Sequence, residues 1–184
     1  MMICTDFTRS STVDERVNVY KRFMGKFSTP ELLGNLVARG FFTAPASTKY
    51  HGNYEGGLFD HSLIVASELV NLTKGMKLEW CNERSPFIVG MFHDLCKADM
   101  YELDEDTGMY VHRADPTFPG HGAKSVFILS QLMQLTEEEV YCIRYHMGAY
   151  EKEEWNHYGA AIERYPNVLF THTADMVAAR IRGV

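Results

Sequence analysis

Uninterrupted apolar stretches are short in this chain of 184 residues, and none approaches the length that crosses a bilayer. No membrane-spanning role is expected. Cysteine is scarce: Cys4, Cys81, Cys96 and Cys142 are the whole complement, and no two form a C-x-x-C unit. Such spacing argues against a disulfide framework and reads as the reduced thiols of a cytoplasmic protein. The start, Met-Met-Ile-Cys-Thr-Asp, has no basic segment followed by an apolar one, so no signal peptide is expected. Positive charge is in deficit, with 18 Lys and Arg against 24 Asp and Glu and a net charge of −6. That balance argues against an extended nucleic-acid surface, which needs a basic face. It leaves room for a small phosphate-bearing ligand, because bound cations reverse the local sign. Internal repeats and low-complexity linkers are also lacking.

What is present is a globular composition, 46% hydrophobic and 23% charged, at a length suited to one domain. Helical patterns dominate. Val17, Tyr20 and Phe23 stand at helical spacing within residues 12–27. Thr29-Pro30-Glu31 supplies an N-cap, a proline at the first position and an early acid for a second helix, which Gly40 ends. Residues 41–57 are irregular, broken by Pro45, Gly52, Gly56 and Gly57 yet rich in aromatics. A helix follows over about 58–76, with Leu58, His61, Val65, Leu69 and Leu72 on one face. Ser85-Pro86 opens the next, which carries His93 and Asp94 near its end. Residues 101–103 and 109–112 flank a polar turn and read as a small β-hairpin. Further helices are expected over 120–133, from the capping-box pair Thr136 and Glu139 to about 147, over 152–165, and over 166–181.

Against this background four histidines and two aspartates fall in one order: His61, His93-Asp94, His121, His146 and Asp175. Imidazole nitrogens and carboxylate oxygens are the ligands of divalent transition ions. Taken singly, each residue also has an ordinary reading. His61 fits a hydrogen-bonded core residue, His93-Asp94 a solvated helix end, His121 a loop contact and His146 a cation at a helix C-terminus. The pattern gains weight as a set, because Asp94 follows the apolar run 87–92, where an unpaired carboxylate is costly. Several helices that each contribute one or two ligands form a rigid metal site in an all-α protein.

The segments Gly56-Gly57-Leu58-Phe59-Asp60-His61 and His93-Asp94-Leu95-Cys96-Lys97, with Asp175, resemble the H…HD…D signature of the HD-domain superfamily of metal-dependent phosphohydrolases. The resemblance spans residues 45–180. It is nearest in look to the HD domain of bacterial 3′→5′ exoribonucleases, through Pro45-Ala46-Ser47, His51, Gly56-Gly57-Leu58, Gly120-His121-Gly122 and Tyr145-His146-Met147-Gly148. It implies an all-α HD-domain helical bundle, here joined by the hairpin around 101–112, within a single domain. Helices in 1–40 would pack on a metal-binding core over 45–180. It further implies that His61, His93, Asp94 and Asp175 hold one divalent ion (Mn, Fe, Mg, Ni, Co or Zn). In members with a second ion, Asp94 bridges, and His121 and His146 hold that ion. In a one-ion version, His121 or His146 is free to act as general acid. Lys97 matches a lysine that lies near the phosphate. The implied substrate is a nucleotide or short oligonucleotide.

Two features depart from that pattern. Some relatives carry paired histidines where this chain has His146-Met147, and no nucleic-acid-binding module is evident in the first 40 residues. The remaining expectations concern the substrate. His51 lies in the lead-in loop and is expected to contact it, and Tyr54, with Tyr50, Tyr110, Phe118 and Tyr150, is a candidate to stack a base. His172, three residues before Asp175, is a candidate partner for that carboxylate, His112 reads as structural and His157 as surface. Two other functions suit the same ligands: an HD-fold di-iron oxygenase, and a non-catalytic nucleotide-binding module.

Overall fold

Threonines open three of the helices by the same local chemistry. In the computed structural model, which describes residues 12–113, 120–150 and 155–184, Thr12 and Glu15 form a reciprocal capping box at α1 (Val13–Met24). Thr29 caps α2 (Pro30–Ala38) through Leu32 N–H, and Thr136 and Glu139 box the start of α6 (Glu137–Arg144). Each side-chain oxygen accepts from a main-chain N–H that the first helical turn leaves without a partner. Between them run α3 (Gly57–Met76), α4 (Ser85–Phe92) and α5 (His121–Ser130). The chain then adds α7 (Trp155–Arg164) and α8 (Asn167–Met176), which continues without a break as a π-helical turn over Val177–Arg182. The fold of the described residues is all-α, with one antiparallel hairpin of β1 (Tyr101–Leu103) and β2 (Tyr110–His112). Tyr101 pairs with His112 and Leu103 with Tyr110, and Asp104 Oδ1 closes the exposed turn by accepting from Asp106 and Thr107 N–H. No described helix is long and apolar enough to cross a membrane.

Helix ends differ from the sequence expectation in a way that matters for the site. The helix opened by Ser85 stops at Phe92; His93 caps it, and Asp94 has left helical geometry at φ −109°. A 3₁₀ turn over Leu95–Ala98 follows. Likewise α6 ends at Arg144, with Tyr145 at φ −108°, so His146 stands beyond the helix. Both ligand-bearing segments therefore turn their side chains inward off a helix terminus. Cys4, Phe118 and the expected helical start at 152 lie outside the described residues.

Among the described residues the core is a cluster to which all eight α-helices contribute. Tyr20 of α1 meets Phe42 edge-on at 5.6 Å between ring centres, and Phe41 meets Phe92 at 5.9 Å. The irregular segment before α3 is held by a buried arginine. Arg16 donates to Phe42 O at 2.9 Å and to Glu55 O at 2.8 Å, binding both ends of that segment to α1. Main-chain carbonyls buried in a loop need such a donor.

Two glycines mark close helix approaches. A Cβ at Gly90 would lie 2.4 Å from Ala66 Cα, so α4 crosses α3 there at near contact of the backbones. A Cβ at Gly122 would lie 2.2 Å from Arg144 O, which holds the start of α5 against the end of α6. On the far side, Arg84 grips Glu139 through two bonds of 3.1 Å, and Asn167 donates to Glu138 at 2.8 Å, tying α6 to α4 and α8.

Candidate metal centre

His61 sits one turn into α3, His93 and Asp94 at the end of α4, His146 after α6 and Asp175 in the last turn of α8. The Gly90–Ala66 crossing lies three residues before His93 and five after His61, and it sets their rings 5.2 Å apart. His93 and His146 stack edge-on at 4.9 Å. The imidazoles of His61, His93 and His146 are fully buried, as is nearly all of Asp94.

Each of the three rings is oriented by its Nδ1. That of His61 lies 2.8 Å from Val184 O, that of His93 2.9 Å from Gly90 O, and that of His146 2.8 Å from Ile143 O. A carbonyl only accepts, so Nδ1 carries the hydrogen in all three. In its neutral form each ring then presents its Nε2 lone pair inward, which is the arrangement that metal-binding histidines use. The three Nε2 atoms converge with the two carboxylates. His61 Nε2 is 3.2 Å from Asp175 Oδ1 and 3.7 Å from Asp94 Oδ2. His93 Nε2 is 3.4 Å from Asp94 Oδ2 and 3.9 Å from Asp175 Oδ1. His146 Nε2 is 3.4 Å from Asp94 Oδ1.

This arrangement fits a cation better than it fits protein alone. His61 Nε2 and His93 Nε2 are 3.3 Å apart, so two neutral rings with Nδ1–H would oppose two lone pairs. His146 Nε2 and Asp94 Oδ1 are both buried and neither completes a hydrogen bond. Buried acceptors without donors cost free energy that a positive ion at their centre recovers. Two triads, His61/His93/Asp94 and His93/His146/Asp175, have ligand atoms within 4.8 Å of one another, and such groups can hold a metal ion.

Charge follows the same logic. Burial lowers the His93 pKa and keeps that ring neutral. Burial alone would raise the Asp94 pKa, but the Lys97 ammonium leads the groups that more than offset it and hold the carboxyl well below the usual range. Asp175 is likewise held down against burial, chiefly by His61. Burial opposes a charge on His146, yet Asp94 and then Asp175 outweigh it and raise its pKa. Lys97 Nζ lies 2.6 Å from Asp94 Oδ2, and despite burial that carboxylate keeps the ammonium charged.

His121 is placed differently from His146. Its Nδ1 is 3.8 Å from Cys96 Sγ, and His121, Cys96 and Asp94 form a third triad within 4.8 Å. Among the described residues no such triad joins His121 to His146. Cys96 stands outside the ordered histidines and aspartates of the sequence. Its place two residues beyond Asp94 was the available signal, but only the 3₁₀ turn reveals which way it faces.

Beside the centre opens a pocket of about 140 Å³, lined by Asp94 and Asp175, by His51, Lys97 and Arg180, and by Met147, Tyr150, Met176 and Ala179. His51 thus reaches the site, its ring 5.1 Å from that of His61. Burial, with the Lys97 ammonium nearby, pushes its pKa down to about 4. Tyr54 lies elsewhere: it is not among the residues that line the pocket, and its hydroxyl donates to Asp60 Oδ2 at 2.9 Å. His172 supports His146 rather than Asp175, with Nδ1 2.7 Å from His146 O. His112 stacks on Tyr101 within the hairpin, and His157 is exposed. Arg180, Met147 and Met176 also line the pocket without any signal in the sequence pattern; the helical continuation of α8 brings Arg180 to the rim.

Compared with protein-family models, with characterised proteins and with solved structures, the chain shows no match.

Proposed function

We propose that this protein is a metal-dependent phosphohydrolase that cleaves a phosphoester bond of a nucleotide or short oligonucleotide. The observation that carries the proposal is the convergence of three histidine Nε2 atoms and two carboxylates beside a small pocket with its own cations. His61, His93, Asp94 and Asp175 would hold a divalent ion, with His146 adjacent. Such an ion, when bound, supplies a Lewis acid and a water of lowered pKa. The chain's own residues supply the rest. Lys97 and Arg180 put two positive charges on the pocket wall, where they neutralise phosphoryl oxygens as charge builds on them. Lys97 is fixed by Asp94 and sits deep, whereas Arg180 is exposed at the rim. Met147, Met176 and Tyr150 give the wall an apolar side for a nucleoside. The pocket is small, at about 140 Å³. With the net charge of −6, that favours a small substrate over an extended nucleic acid.

The test is turnover of a panel of nucleotides and short oligonucleotides by manganese-loaded protein, read as released phosphate or shortened product. Asp94→Asn is expected to lower turnover by at least about 100-fold while circular dichroism shows the fold retained. Unchanged turnover in a folded Asp94→Asn variant would end the proposal. Iron-dependent oxygen consumption without phosphoester cleavage would move the assignment to an oxygenase.

A further inference from the structure

We infer that Cys96 is a metal ligand, and that Asp94, Cys96 and His121 form a second cation site of mixed oxygen, sulfur and nitrogen donors beside the histidine-rich one. The inference rests on the metal-centre reading above and extends it to a residue that the sequence pattern leaves out.

Three observations support it. Cys96 Sγ and His121 Nδ1 are 3.8 Å apart, and with an Asp94 oxygen they form a triad whose atoms lie within 4.8 Å of one another. These are three different ligating groups from two elements, gathered at a fully buried cysteine. Second, the two elements are locked together. Cys96 N–H donates to Ser125 Oγ at 3.1 Å, which pins the 3₁₀ turn to α5. Gly122 meanwhile seats the first turn of α5 against the Arg144 carbonyl, where a Cβ would lie only 2.2 Å away. The donors are therefore held by backbone packing, as a preorganised site requires. Third, Asp94 belongs to this triad and to the first cluster, and its buried Oδ1 has no hydrogen-bond partner. A shared carboxylate with a spare oxygen is the element that bridges two ions roughly 3.5–4 Å apart in two-metal hydrolytic sites.

The donor set predicts selectivity. The first cluster offers nitrogen and oxygen only. The second adds sulfur, which favours zinc, cobalt or iron over magnesium or manganese. Three protein ligands leave positions open for water or a substrate oxygen, as in catalytic zinc sites. Binding there displaces the thiol proton to solvent, leaving a thiolate on the ion.

Cobalt(II) reports directly on a thiolate ligand through a sulfur-to-metal charge-transfer band in the near ultraviolet. Purified protein is titrated anaerobically with cobalt while binding is counted by calorimetry. The expected result is two equivalents bound, with the band appearing as the cysteine site fills. The band should be lost in Cys96→Ser, a near-isosteric change, and in His121→Ala, while one equivalent still binds to each. His146→Ala should keep it. Two equivalents without the band would overturn the inference, and so would a band that survives Cys96→Ser. One equivalent without the band would also overturn it, while leaving the histidine-rich centre intact. No bound cobalt would remove both.

Discussion

Replacing Gly90 by alanine puts a methyl group where α4 has no room for one. The added Cβ would stand 2.4 Å from Ala66 Cα and 2.9 Å from Ala66 N, both main-chain atoms that no side-chain rotation can move aside. Ordinary contact begins at 3.4 Å, so α3 and α4 must separate by about 1 Å at the crossing, the difference between 3.4 and 2.4 Å. Overpacking of this kind costs about 1–3 kcal/mol. In a domain of this size that lowers Tm by roughly 2–12 °C. The same displacement acts on the site, because Ala66 is five residues from His61 and Gly90 three from His93. Metal–ligand distances tolerate only about 0.2 Å, so manganese affinity should fall at least tenfold even where the variant is folded. Thermal unfolding without metal and calorimetric titration with manganese read the two effects separately. Gly159→Ala is the control. Its Cβ would meet nothing within 4 Å, and in a helix interior the change should stabilise by about 0.5–1 kcal/mol without touching metal affinity. A Gly90→Ala protein with wild-type Tm and wild-type affinity would refute the reasoning that this crossing builds the centre.

Three further outcomes are expected. Arg16→Met should cost about 2–6 kcal/mol in urea unfolding, because it strips the donor from the Phe42 and Glu55 carbonyls, at about 1–3 kcal/mol each; a loss under about 1 kcal/mol would show the segment before α3 to be held otherwise. Asp60 is buried, and desolvation raises its pKa from 3.8 to about 6, so the folded state takes up its proton at higher pH than the unfolded chain does. Its favourable contribution is complete below about pH 4 and is lost as pH rises to about 6. Asp60→Asn should therefore stabilise the protein by roughly 2–4 kcal/mol at pH 7.5 and hardly at all at pH 4, and equal shifts at both pH values would contradict the assignment. Arg180→Ala should raise KM for a phosphorylated substrate about tenfold with kcat nearly unchanged, since the guanidinium stands at the pocket rim and not on the ligand cluster; a fall confined to kcat would place Arg180 in the chemical step.

Local chemistry made much of the architecture legible. Capping threonines at 29 and 136, the prolines at 30 and 86, and the apolar spacing from Val17 to Phe23 and from Leu58 to Leu72 act within a few residues of themselves, so the helices they predict are present. The polar turn at Asp104 likewise made the hairpin readable. The ordered histidines and aspartates pointed to a shared interior, and five of them, His61, His93, Asp94, His146 and Asp175, do converge. Sequence order carries no information on which of them are neighbours. That His146 stands with the first cluster, that His121 faces Cys96, that Tyr54 turns to Asp60 and that Arg180 reaches the pocket were all decided by the tertiary structure. The physical reason is that helix ends at Phe92 and Arg144, and backbone contacts at Gly90–Ala66 and Gly122–Arg144, set distances between residues far apart in the chain, where periodicity and propensity have no reach.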